Sequence, residues 1–152
     1  MLKNTQSGRS MIEMLGVLAI IGVLSAGGIA GYSMAMKNYK ANKAMEVIQM
    51  LSTQAKTIYN GNYTNISAND MTALGSDFTS PFGEISVAEV DNDAKHFTLT
   101  MLNVEQSACI KLGAANWGGA TVKVDGNAVA NMSDALTSCN SVDDNTVVWT
   151  FD

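Results

Sequence analysis

The chain divides by the spacing of its apolar and polar positions. From Met14 to Met36 no side chain is charged and no proline interrupts, a run of about 23 residues. As a helix that run measures about 35 Å at ~1.5 Å per residue, and a bilayer core needs roughly 20 apolar residues. From Lys37 the pattern turns amphipathic without a break. Ala41, Ala44, Met45, Ile48, Leu51, Ala55, Ile58 and Tyr59 follow steps of three and four, the period of one helix face. Lys40, Lys43, Glu46, Gln49, Thr53 and Lys56 lie elsewhere. With no proline from Arg9 to Tyr59, this predicts one helix of about 50 residues. Its first half is apolar all round, and its second half has one stripe that needs a globular domain to cover it. Asn60-Gly61 is the stop signal.

Beyond it the period changes. A polar linker, Asn62 to Ser80, holds one short helical candidate, Ser67 to Leu74, with Ser67 as cap and Asp70 at the third position. Pro81-Phe82-Gly83 reads as a turn into strands. Glu84 to Val90 alternates with Ile85, Val87 and Ala88 inward, and His96 to Val104 with Phe97, Leu99 and Met101 inward. Asp91-Asn92-Asp93 is their hairpin turn. Val104 to Gly113 reads as a helix stopped by Gly113. Thr121 to Val124 and Asn127 to Met132 flank Asp125-Gly126, a strong hairpin signal. Ser133 to Cys139 fits one or two helical turns. Thr146 to Phe151 is β-branched and aromatic throughout, which places it inside a sheet rather than at an edge. The fold class is α+β: a long N-terminal α-helix, transmembrane in its first half, packed on a small antiparallel β-sheet domain.

Composition narrows the chemistry. The 152 residues fit one domain plus an anchor, and the net charge of −5 disfavours nucleic acid as a partner. The one histidine, His96, lies on a strand with no hydrolase or zinc motif around it. No glycine-rich phosphate loop follows a strand, so neither an enzyme nor a cofactor is expected. Trp117 and Trp149 read as packing residues, with Trp117 beside Gly118-Gly119 open to exposure. Asp91 to Asp93 and Asp143 to Asn145 are weighed as calcium sites against plain solvated turns; neither has an ordered multi-ligand spacing. The amino-terminus admits a secretory signal peptide, cut in Ser25-Ala26-Gly27, or an ordinary single-pass anchor. Glu13 at the head of the apolar run is wrong for the first, and the continued helix pattern past Gly27 is too.

Glu13 is costly in or near hydrocarbon, roughly 2–3 kcal/mol on insertion scales, so such residues usually have a partner and a role; the alternative is an idle carboxylate solvated at the headgroup level. Its surroundings resemble the amino-terminus of type IV pilins and their pseudopilin relatives. That family has a short polar leader ending in glycine, a peptidase cut after it, and a glutamate fifth after the cut. Here the leader is Met1 to Gly8, the mature chain begins at Arg9, and Glu13 is fifth. Ala19-Ile20-Ile21-Gly22-Val23-Leu24 and Tyr32 match the family's helix. Arg9 stands where phenylalanine or methionine is usual, and Ala30 where many members carry a kinking proline.

The resemblance implies a pilin fold with a leader (1–8), a hydrophobic transmembrane and assembly helix (9–36), an amphipathic half (37–60) and a head (61–152). It implies export, and two cysteines in an exported domain suggest one disulfide, Cys109 to Cys139, closing about 30 residues. The layout of that region is similar to type IVb pilins. The implied partners are other copies of the chain in a filament, prepilin peptidase, the inner-membrane assembly platform, and membrane lipid before assembly. Glu13 is expected to pair with a neighbour's new amine, and Arg9 to be a methylation candidate. The expected function is a pilus subunit for adhesion, aggregation or motility. A minor pilin or type II secretion pseudopilin, and a non-assembling anchored binding domain, are the alternatives.

Overall fold

A computed structural model describes residues 7–91 and 93–152, with side chains described from Met11 onward. The leader through residue 6 and the turn residue Asn92 lie outside the described residues. Helix α1, Ser7–Tyr59, runs 53 residues as one element. Asn60 and Gly61 then take positive φ values of 46° and 80°, and the Asn62 N–H bonds the Tyr59 carbonyl at 3.0 Å. Two adjacent left-handed residues end a helix because its carbonyls can no longer bond forward. The chain forms two compact units, the first ending at Met36 and the second spanning Lys37–Asp152.

In the second unit the stripe of α1 enters the core. Ala41, Ala44, Ile48, Leu51 and Ala55 are fully or almost fully buried, and Val47 joins them. The linker carries α2, Ala68–Ala73, capped by the Ser67 hydroxyl, which accepts from the Asp70 N–H. Strands β1 (Thr79–Ser80) and β2 (Gly83–Glu84) form a small ladder around Pro81-Phe82. There the Ser80 hydroxyl donates to the Gly83 carbonyl at 2.7 Å. Next come β3 (Ser86–Val90), β4 (Asp93–Val104), α3 (Gln106–Ala114), β5 (Thr121–Val124), β6 (Asn127–Val129), α4 (Met132–Ser138) and β7 (Asn145–Phe151).

The main sheet is antiparallel, in the order β3-β4-β7-β5-β6, so the last strand of the chain is its centre. Register places Leu99, Trp149 and Val122 in one row and Met101, Val147 and Val124 in the next. All six face the core. Hydrophobic alternation fixes this register, because a slip of one residue would turn every inward side chain outward. Asp125 and Gly126 both take positive φ, 49° and 85°, the primed turn that suits the sheet's twist.

Three local expectations are corrected. Gly113 does not stop α3. It is buried inside the helix, where an added Cβ would meet Ala135 and Val129 at 3.5 Å. The second hairpin strand ends at Val129 rather than Met132, because Asn131 turns the chain and caps α4 through the Asp134 N–H. Strand β4 begins at Asp93, earlier than the alternation indicated, and bulges between Met101 and Val104 where Asn103 has a φ of 55°. Trp117 packs as expected: it is buried, its indole N–H bonds the Leu112 carbonyl at 2.8 Å, and its ring meets Trp149 edge-on at 5.4 Å.

Candidate assembly surface

The apolar part of α1 is exposed throughout its described side chains. From Met11 to Tyr32 its large hydrophobic side chains are 53% to 74% exposed. This helix is long and apolar enough to cross a membrane. Gly8 and Arg9 lie on its first turns, on a helical backbone. Glu13 is exposed on the same helix, one turn past Arg9, and has no ion-pair partner among the described residues. Its neighbours Ile12 and Met14 are both more than 60% exposed, and from Met11 to Met36 it is the one charged side chain.

In the second unit the polar contacts tie the later elements to α1. Lys40 Nζ bonds Glu105 Oε1 at 3.0 Å, and Lys111 Nζ bonds Asn42 Oδ1 at 2.7 Å, so both ends of α3 are held to α1. Lys43 pairs with Glu46 at 3.0 Å on the exposed side of the helix. That hydrogen bond and charge raise the Lys43 pKa, with Asp77 adding to the effect. Cys109, fully buried on α3, is disulfide-bonded to Cys139 at the end of α4, with Cα atoms 5.9 Å apart. Alternation along the chain did not reveal Asn145, which is wholly buried and bonds the Val104 carbonyl at 2.9 Å and the Asn140 N–H at 2.7 Å. An asparagine in a turn-rich polar stretch gives no signal that it will be sealed in a core.

The two acidic turns behave differently. Asp93 accepts from the Lys95 N–H at 3.1 Å and meets His96 Nδ1 at 2.7 Å; the backbone bond first, and His96 second, hold its carboxyl below the usual range. Asp143 accepts from the Gln106 N–H at the start of α3. Among the described residues no group of three or more histidine, cysteine or acidic side chains is arranged to hold a metal ion.

Comparison with known proteins gives a consistent picture. The family model "PilS N terminal" matches residues 81–152. The chain is 26% identical over 157 aligned positions to the major structural subunit of bundle-forming pilus of Escherichia coli O111:H-, covering 93% of this chain and 80% of that protein. It is 27% identical to the same subunit of Escherichia coli O127:H6, covering 76% and 68%. Among solved structures it matches a type IV b pilin from Salmonella typhi, with a TM-score of 0.53, 19% identity, and coverage of 68% and 94%. It also matches TcpA, a type IV pilin from Vibrio cholerae El Tor, at a TM-score of 0.54, 15% identity, and coverage of 77% and 99%. A long N-terminal helix packed on an antiparallel sheet is the fold of these type IV pilin structures, and the family model and the relatives support the same likeness. Within that fold the likeness is to type IVb pilins, one of which is among the structures it matches.

Proposed function

We propose that this chain is a structural subunit of a type IV pilus, polymerising through its N-terminal helix into a surface filament. The observation that carries the reading is the bare apolar helix joined to a fully packed head. At ~25 cal/mol per Å² such a surface is unfavourable in water and must be covered. Lipid covers it in an inner-membrane precursor, and the same helix of neighbouring subunits covers it in the filament. Relatives that are major pilus subunits support this use of the helix.

Processing follows from the same helix. Prepilin peptidase removes residues 1–8 after Gly8, and the assembly platform then draws the mature chain (assembly helix 9–36, amphipathic half 37–60, head 61–152) out of the bilayer. The Glu13 carboxylate of an incoming subunit pairs with the new Arg9 amine of its neighbour. In a low-dielectric core an unpaired charge is far worse than a paired one, so the pair sets register more than it adds net stability. The test is to shear filaments from cells and weigh the subunit. Abundant chains beginning at Arg9 are expected. Chains that keep Met1, or that never leave the membrane pool, would reject the proposal, and trace amounts at filament ends would assign a minor pilin or pseudopilin instead.

A further inference from the structure

Within Lys37–Asp152, α1 presents two seams. Ala41, Ala44, Ile48, Leu51 and Ala55 form the buried one. Two residues back from Ala41, about 200° around the helix at ~100° per residue, Tyr39 begins another. Its members, Tyr39, Lys43, Glu46 and Met50, are spaced four, three and four, the spacing of a seam between two helices. Tyr39 is 63% exposed and Met50 39%, large side chains on a face left open among the described residues.

Three features say what covers it. The same spacing runs back in sequence through Met36 and Tyr32 into the apolar stretch proposed to assemble. The only charges on it, Lys43 and Glu46, neutralise each other at 3.0 Å, so a face of identical sequence can approach without net repulsion. Past Met50 it continues through Thr53 and Thr57 into a cleft of about 290 Å³ walled by Leu74 and Ser76, space for a neighbour's side chain.

We propose that this outward seam of α1 packs against the same stretch of α1 in a second copy of the chain, extending helix-to-helix contact from the apolar half into the head. The inference rests on the filament reading and deepens it: the head's helix is itself part of the assembly surface.

The test uses the full chain in assembling cells, with the photocrosslinker p-benzoylphenylalanine in place of Tyr39 and, as a control, in place of exposed Lys123 on β5. Irradiated filaments are expected to contain covalent dimers from the Tyr39 position, with the linked peptide mapping to residues 39–57 of the partner. In parallel, Lys43→Glu puts two acids on the seam and is expected to cut sheared filament yield ~10-fold or more. The double swap Lys43→Glu/Glu46→Lys should return it to near wild type, with head melting unchanged throughout, since the pair is exposed. Normal filaments in which the Tyr39 probe links only lipid, a head surface or nothing would overturn the seam while leaving the filament reading intact. So would wild-type yield from Lys43→Glu. A wild-type chain that forms no filaments would remove the filament reading, and the seam with it.

Discussion

Asn145 is wholly buried, and its amide is matched group by group: Nδ2 donates to the Val104 carbonyl at 2.9 Å and Oδ1 accepts from the Asn140 N–H at 2.7 Å. These bonds close the loop between α4 and β7. Asn145→Leu keeps the volume but strands both backbone partners, an expected loss of about 3 kcal/mol read as a lower melting temperature. Glu13 meets the opposite condition, a carboxylate on a bare apolar helix. Glu13→Gln keeps its size and removes its charge. Membrane insertion and cleavage after Gly8 are expected to persist, while sheared filament yield falls sharply. Coexpressed wild-type chain should partly rescue the mutant. Normal filaments from Glu13→Gln alone would make Glu13 a solvated edge residue.

At the level of elements, the segment between the two cysteines is joined from several sides. The disulfide ties α3 to α4, the Lys40–Glu105 and Lys111–Asn42 contacts hold α3 to α1, and Gly113 lies buried beside Ala135 and Val129. Closing a loop of about 30 residues is worth about 3–4 kcal/mol in the chain-entropy account. Cys109→Ser is therefore expected to lower head stability by that order and to speed amide exchange in α4, with the apolar helix unaffected. Equal melting of oxidised and reduced protein would contradict it. These two helices also separate what sequence resolves from what it does not. Ala108, Cys109 and Leu112 have helical spacing and are buried as expected, but Gly113 looks like any terminating glycine until α4 is seen against it.

For the molecule as a whole, the shifted groups of the head define a pH window. Asp77 and Asp93 are held low chiefly by the backbone N–H groups of Thr79 and Lys95, so they contribute stability above ~4 that is lost as pH falls through their folded values. Tyr63 is pushed up by burial and, second, by Asp152. Its folded state favours the protonated phenol, so stability is fully present below ~10 and is lost as pH rises through its raised folded value. Melting of the full chain in detergent should be flat between these limits and fall on both sides; a midpoint still rising above pH 10 would contradict the Tyr63 assignment. Sequence by itself determined the bare helix, its buried stripe, the Asp125-Gly126 turn and the interior placement of Thr146 to Phe151. Each is a local pattern of hydrophobicity or backbone preference repeated over several residues. Tertiary structure alone decided the sheet order with β7 at its centre, the sealed amide of Asn145, the place of Gly113 against α4 and the Trp117 partners Leu112 and Trp149. Each of those depends on which distant residue arrives opposite, and a single polar, small or aromatic side chain does not encode its neighbour.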